Sequence, residues 1–172
     1  ETLASLGHPN VIGFRTAFNF ENSLFLVMEY CQKGTLHDKL NLRGKMHEEE
    51  IVSLFLTLTK TLDFLHEKNI IHHDIKPTNI LFGEDDNVKI SDFGCANSDI
   101  GTRVYLPPEA DEIFGYKPSP KSDIFSLGVM LMECALGYHP FVGKTVEEKI
   151  ELVKNANLPI SNLTLWLQDT IL

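Results

Sequence analysis

Four residues suited to phosphate and proton chemistry lie in two short stretches of this 172-residue chain. HHDIKPTN contains Asp74, Lys76 and Asn79, and SDFG adds Asp92 thirteen residues after Asn79. A phosphoryl group in transfer carries negative charge that cations must neutralise, and the acceptor hydroxyl must be positioned and lose its proton. An acid, a cation, an amide and a second acid meet these needs, so the spacing predicts phosphoryl transfer.

Each of the four residues has a chemical task that suits its type. Asp74 can accept the proton of the acceptor hydroxyl, and Lys76 can lie against the transferring phosphate. Asn79 and Asp92 offer hard oxygen ligands to Mg²⁺, which keeps several waters and takes few protein ligands. The intervening ILF, GEDDN and VKI predict a hairpin that returns Asp92 to the end where Asn79 lies.

Hydrophobic patterns predict the larger elements that position these residues. Residues 11–20 and 23–31 read as two strands joined by a turn at Glu21–Asn22. Apolar residues at helical spacing predict one long amphipathic helix over 47–67. SDIFSLGVMLMECALG predicts a buried helix that starts at a cap-like Ser122–Asp123 and ends at Gly137.

The remaining segments predict shorter elements and one long connection. The pattern indicates helices in these stretches: the end of one at 2–6, a short one at 36–40, one in TVEEKIELVKNA and a last one in NLTLWLQDTIL. Residues 92–120 follow no steady period and contain turn-like prolines and glycines, which predicts a long ordered loop.

The composition excludes several classes of partner. The formal net charge is −9, which disfavours binding to nucleic acid and to anionic membrane surfaces. The apolar stretch at 124–137 is too short to span a membrane and contains Glu133. Cys31, Cys95 and Cys134 show no paired spacing, so we expect a reduced, intracellular and cytoplasmic setting.

Five motifs resemble those of eukaryotic protein kinases, in the order of that family. HHDIKPTNIL…ISDFG resembles the catalytic and metal-binding loops. HPNVI resembles the stretch after the regulatory helix, and LFLVMEYCQKG resembles the last upper-lobe strand and the hinge. GTRVYLPPE resembles the segment that holds the substrate peptide, and SDIFSLGV resembles a buried helix of the family. The resemblance covers essentially the whole chain, and five ordered motifs are far more specific than one.

The resemblance implies an α+β, protein-kinase-like fold. Residues 1–28 would form the C-terminal part of a β-rich N-lobe, 29–35 the hinge, and 36–172 a mainly α-helical C-lobe that is incomplete at its C-terminus. It also implies ATP-dependent phosphorylation of serine or threonine in protein substrates, with ATP and Mg²⁺ as cofactors.

The family's residue roles carry over to matching positions. Asp74 would be the catalytic base, Lys76 the phosphate contact, and Asn79 and Asp92 the Mg²⁺ ligands. Lys76 together with Thr102 resembles the serine/threonine type.

The resemblance also implies an adenine site and a set of supporting residues. Met28 would be the gatekeeper, backbone groups of Glu29 and Cys31 would meet adenine, and Leu81 would be its floor. His72 and Phe93 would stack with Leu3 and Phe14 as an internal spine. Asp123 would tie down the catalytic-loop backbone. The other supporting residues implied are Gly94 of the metal loop, Thr102 and Glu109.

The chain departs from the family pattern near both ends. No glycine-rich phosphate loop occurs before residue 24, no VAIK-like stretch occurs, and the family's helix glutamate would fall two positions before Glu1. No arginine follows Trp166 to pair with Glu109. We therefore expect a fragment of a longer kinase, inactive by itself.

Three alternative interpretations stay open at this point. The chain could be a pseudokinase or truncated, non-catalytic interaction module. His66, His72 and His73 could bind Zn²⁺ in an unrelated fold. Asp123 could be an ordinary helix cap.

As for substrates, the resemblance places Thr35 and Thr78 where kinases that read basic residues often have acids, which argues against an arginine-directed kinase.

His73 stands where the family has an arginine that receives an activation-loop phosphate, and the segment from Asp92 to Glu109 is short. We therefore predict that activity does not depend on phosphorylation of this segment. Ser98→Ala should leave the phosphorylation rate of the full-length protein unchanged, as measured with radiolabelled ATP. Loss of activity in Ser98→Ala and its return in Ser98→Asp would contradict this.

Overall fold

The computed structural model of the chain describes residues 6–96, 102–110, 116 and 118–155. The predicted helix in NLTLWLQDTIL, Leu3 of the expected spine, Ser98, and the side chains of Cys95 and Glu109 lie outside the described part. Eight regular elements occur within it: β1 (Phe14–Phe20), β2 (Ser23–Met28), α1 (Leu36–Arg43), α2 (Glu48–Glu67), β3 (Ile80–Phe82), β4 (Val88–Ile90), α3 (Pro120–Leu136) and α4 (Val146–Lys154). Short 3₁₀ turns occur at Pro77–Asn79, Glu84–Asp86, Phe93–Cys95 and Pro108–Ala110.

The first hairpin forms around the predicted turn. β1 and β2 pair in antiparallel register, with Phe20 opposite Ser23. Glu21 and Asn22 have φ of 46° and 61°, and a two-residue hairpin turn of this kind matches the twist of its strands. Its apolar side chains are largely exposed, Leu24 at 65% and Phe20 at 58% among them.

The second hairpin separates the two predicted catalytic stretches. β3 and β4 pair antiparallel, with Ile80 opposite Ile90 and both side chains fully buried. The backbone N–H of Ile12 donates to the carbonyl of Ile90, and the backbone N–H of Ile90 donates to the carbonyl of Asn10. The hairpin is therefore held in the core, and its open end carries Asn79 and Ser91.

The main core lies between α2 and α3. Leu58, Leu62 and Leu65 of α2 are at most 1% exposed and belong to one buried cluster with Met130 and Cys134 of α3. The long helix predicted over 47–67 is confirmed, with His47 as its N-cap residue.

No helix among the described residues is long and apolar enough to cross a membrane.

The predicted start of α3 is wrong. The helix is capped by Ser119, starts at Pro120, and Ser122 completes a capping box as the third helical residue. Pro is favoured at the first helical position because its missing N–H has no helical partner there. Asp123 is therefore inside the first turn, fully buried, and not a cap.

Candidate phosphoryl-transfer site

A buried carboxylate on α3 fixes the loop formed by residues 72–79, here called the catalytic loop. Asp123 accepts hydrogen bonds from the backbone N–H of His72 at 2.9 Å and of His73 at 2.7 Å. Its Oδ2 also accepts from His66 Nε2 at 2.9 Å. His73 has a φ of 65°, a conformation that costs a non-glycine residue energy, so these bonds hold the loop in a shape it would not adopt alone.

Asp74 lies at the centre of a hydrogen-bonded cluster. Its Oδ1 accepts from Thr102 Oγ1 at 2.6 Å and from the Thr102 backbone N–H at 3.0 Å. Its Oδ2 accepts from Lys76 Nζ at 2.7 Å and from Asn79 Nδ2 at 3.0 Å. Lys76 Nζ also donates to Thr102 Oγ1 at 2.8 Å. An ionised carboxylate has about four acceptor positions, so this set fills all of them.

The cluster keeps Asp74 ionised. Burial by itself raises the pKa of Asp74, but the hydrogen bonds from Lys76, Thr102 and Asn79 and the Lys76 charge outweigh it and lower the pKa below its usual range. Asp74 is therefore a carboxylate at neutral pH, the form that can accept a proton.

His72 is a buried histidine, and both of its ring nitrogens make hydrogen bonds. Its Nδ1 accepts from the backbone N–H of Asp74 at 3.3 Å, so Nε2 carries the proton and donates to the carbonyl of Ser91 at 2.9 Å. Its ring meets that of Phe93 edge to face at 4.7 Å. Burial lowers the pKa of His72, which keeps the ring neutral.

The structure brings Asn79 and Asp92 to the same edge. Ser91 donates from its backbone at 2.9 Å and from Oγ at 3.1 Å to the carbonyl of Asn79, which places the next residue, Asp92, beside it. Asn79 Nδ2 is used by Asp74, which orients the amide oxygen away from that carboxylate. Asp92 has a φ of 60° and its Oδ1 accepts from the Gly94 backbone at 3.3 Å.

These two side chains fit a magnesium ion that keeps most of its waters, since both present oxygen ligands. A Cβ on Gly94 would lie 3.1 Å from Asp92 Oδ1, so a side chain there would crowd this carboxylate. Within the described residues, no group of three or more His, Cys, Asp and Glu side chains could hold a metal ion. His66 and His72 are instead engaged by Asp123 and Ser91, which removes the basis for the zinc interpretation.

Of the residues assigned to adenine, Met28 ends β2, Glu29 and Cys31 follow it directly, and Leu81 lies in β3. The backbone of Glu29 donates to Gly13 at 2.8 Å, and its carboxylate pairs with Lys89 at 2.6 Å. Leu81 forms an isolated bridge with Thr35, just beyond this segment. Cys31 is buried and Met28 is 40% exposed. The expected hinge and floor are therefore neighbours.

The segment after Thr102 is anchored to α3. Tyr105 donates through its hydroxyl to Glu133 Oε2 at 2.6 Å, and Ser126 Oγ donates to the Tyr105 carbonyl at 3.0 Å. The ring of His139 meets that of Tyr105 edge to face at 4.6 Å. Burial and the Glu133 contact raise the pKa of Tyr105 far above its ordinary value, so the hydroxyl stays protonated.

His73 has a partner that sequence reasoning missed. Its Nε2 lies 2.9 Å from the hydroxyl of Tyr116, and the two rings stack at 5.4 Å and 18°. The His73 side chain is fully buried. Tyr116 lies 43 residues away in the chain, and nothing local in the sequence joins the two. The substitution of His73 for the family's arginine was the signal that this residue needed a different partner.

The chain matches the protein kinase domain over residues 1–168. It therefore belongs to the protein kinase family, which confirms the α+β, kinase-like fold predicted from the motifs.

Its relatives include serine/threonine kinases. It is 32% identical to Aurora kinase B of Danio rerio over 171 residues, which cover 95% of this chain and 53% of that protein. It is 37% identical to the Aurora kinase of Schizosaccharomyces pombe, with coverage of 82% and 41%, and 35% identical to the serine/threonine-protein kinase Nek3 of Mus musculus, with coverage of 81% and 29%. The chain spans about half or less of the length of these relatives.

Asp123→Asn should destabilise the protein by about 3 kcal/mol, because an amide cannot accept hydrogen bonds on both atoms and buried N–H groups lose their partner. Urea unfolding measures the loss, with Asp63→Asn on the exposed face of α2 as the matched control. Equal stability of the two variants would show that the carboxylate does not fix the loop.

His139 should make the fold less stable in mild acid. Burial, with a smaller contribution from the Lys149 charge, lowers the pKa of His139 to about 4 from an ordinary 6.5. The unfolded chain therefore takes up a proton first, and stability falls as the pH drops from 6.5 toward 4. Because the side chain is partly exposed, we expect a loss of about 1 kcal/mol between about pH 7 and about pH 5.

His139→Asn should remove that loss and keep an acceptor for the Phe141 N–H, which His139 Nδ1 now accepts at 3.1 Å. Urea unfolding at both pH values gives the measurement, and His37→Asn, at an exposed histidine, controls for the loss of an imidazole. An unchanged pH dependence in His139→Asn would contradict the assignment.

Proposed function

We propose that the full-length protein is an ATP-dependent protein serine/threonine kinase that uses this site. The observation that carries the proposal is the cluster of Asp74, Lys76, Asn79 and Thr102, whose charged groups are held by hydrogen bonds of 2.6–3.0 Å. Membership of the kinase family and relatives named as serine/threonine kinases support it. In this proposal residues 1–28 belong to the N-lobe, 29–35 form the hinge, and 36–172 belong to the C-lobe.

Asp74 acts as the base for the acceptor hydroxyl in this proposal. Because all four of its acceptor positions are filled, the hydroxyl has to replace an existing donor when it binds. Lys76 is the donor suited to leave, since its ammonium group can pass from the carboxylate to the transferring phosphate. Thr102 then holds Asp74 through Oδ1 while Oδ2 receives the proton.

Asn79 and Asp92 would hold the magnesium ion, which supplies positive charge to the phosphates when ATP is bound. Leu81 and the backbone near Glu29 and Cys31 would contact adenine, below Met28. In the same proposal, residues 1–172 by themselves would have negligible turnover.

Asp74→Asn should lower kcat of the full-length protein by at least about a hundredfold, because an amide cannot take the proton. Transfer of phosphate from radiolabelled ATP to a serine-containing peptide measures it. Asp85→Asn, in the exposed turn between β3 and β4, is the matched control and should retain full activity.

A protein that binds other proteins without catalysis is the second candidate, and the saturated state of Asp74 is the observation that favours it. In that case neither the unaltered protein nor the Asp85→Asn variant transfers phosphate, with Mg²⁺ and ATP in excess. Activity of Asp74→Asn within about threefold of the control would also overturn the assignment of the base.

A further inference from the structure

Thr102 and Tyr116 contact two consecutive residues of the catalytic loop. Thr102 donates to Asp74 Oδ1 from its hydroxyl at 2.6 Å and from its backbone N–H at 3.0 Å. The Tyr116 hydroxyl lies 2.9 Å from His73 Nε2. Because His73 and Asp74 are neighbours in the chain, their Cα atoms are about 3.8 Å apart. The stretch of chain that begins at Thr102 and ends at Tyr116 is therefore joined to the catalytic loop at both of its ends, at adjacent points.

The contact at Tyr116 includes more than one hydrogen bond. The two rings also stack, with their centroids 5.4 Å apart and their planes at 18°. The His73 residue is fully buried, and a hydrogen bond is electrostatically stronger where water is excluded. Since the backbone N–H of His73 donates to Asp123 at 2.7 Å, different parts of the chain hold the backbone and the side chain of His73.

The conformation of His73 decides where the next residue lies. Its φ of 65° is one that a non-glycine residue adopts at a cost in energy, so contacts have to maintain it. The peptide unit that joins His73 to Asp74 turns with the His73 backbone. A side chain that fixes His73 therefore also limits the movement of the Asp74 carboxylate.

The contacts at Thr102 and at Tyr116 support each other. Once one end of the stretch is bound, the other end stays near its partner, and closing the second contact costs less entropy than it would from a free chain. Loss of the Tyr116 contact should therefore leave Thr102 away from Asp74 Oδ1 for a larger fraction of the time. In the proposed function, Thr102 holds Asp74 through Oδ1 while Oδ2 receives the proton.

We propose that Tyr116 is a positioning residue for phosphoryl transfer, which acts through His73 to keep Thr102 bound to Asp74. This rests on the proposed function, since it adds a residue to the same site. The contact contains no phosphate group, so it holds the stretch on the catalytic loop in the unmodified protein.

Tyr116→Phe in the full-length protein removes the hydroxyl and keeps the ring. We expect the single-turnover rate of phosphate transfer from ATP to a serine peptide to fall about fivefold, as the loss of one hydrogen bond would give. The KM for ATP should stay within about twofold, because the change acts on the position of Asp74 and not on nucleotide binding. Urea unfolding gives the folded fraction of each variant, so that rates are compared per folded molecule.

The matched control is Tyr138→Phe, which removes a hydroxyl from a tyrosine that is 57% exposed. It should retain the transfer rate of the unaltered protein. A rate in Tyr116→Phe equal to that of Tyr138→Phe would overturn the inference.

A double-mutant cycle tests whether Tyr116 acts through His73. His73→Asn keeps the backbone N–H that Asp123 accepts, suits the left-handed backbone, and is too short to reach the Tyr116 hydroxyl. If the hydroxyl acts through His73, adding Tyr116→Phe to His73→Asn should slow transfer by less than about twofold further. The cycle assigns the effect to this pair, apart from any other contact that either side chain makes. A double variant whose loss is the product of the two single losses would contradict the inference.

Hydrogen exchange separates this inference from the proposed function, because it needs no turnover. The Thr102 N–H, which Asp74 accepts, should exchange about fivefold faster in Tyr116→Phe than in Tyr138→Phe, as followed by NMR. If the full-length protein transfers no phosphate but this difference occurs, the kinase proposal fails and the positioning role stands. Equal exchange in the two variants would overturn the positioning role whatever the transfer rates, and transfer by the unaltered protein would then leave the kinase proposal standing.

Discussion

The carboxylate of Asp123 is the constraint on which the site depends. It is fully buried and takes hydrogen bonds from His66, His72 and His73, so removing it leaves donors in the core with no acceptor. The same bonds hold His73 in a left-handed conformation and so fix the position of the next residue, Asp74. Because α3 packs on α2, the position of Asp74 is set by the helical core and not by the loop itself.

The charged groups of the site are paired with each other. Asp74 and Lys76 neutralise each other across 2.7 Å, and Thr102 bonds to both. In the proposed function, a phosphate that attracts Lys76 would open an acceptor position on Asp74 for the acceptor hydroxyl. The ion pair thus has a direct use in the proposed chemistry, beyond any contribution to stability.

The sequence predicted the parts of the fold that depend on local patterns. The hairpin turn at Glu21–Asn22, the long helix α2 and the β3–β4 hairpin all follow from residues close together in the chain. The start of α3 was mistaken because Ser122–Asp123 and Ser119–Pro120 are both plausible beginnings, and the preference of proline for the first helical position decided between them. Contacts of long sequence separation, such as Tyr116 with His73 and Lys149 with the Leu106 carbonyl, had no local signal.

Burial is unevenly distributed between the catalytic loop and the β1–β2 hairpin. Asp74, the neighbouring histidines and the β3–β4 hairpin lie in the core, where His72, His73 and Ile80 are fully buried. The β1–β2 hairpin, which leads to the segment assigned to adenine, has largely exposed apolar side chains in this 172-residue chain. The catalytic loop is therefore held in place by the core of the fold before any ligand binds, as the role proposed for Asp74 requires.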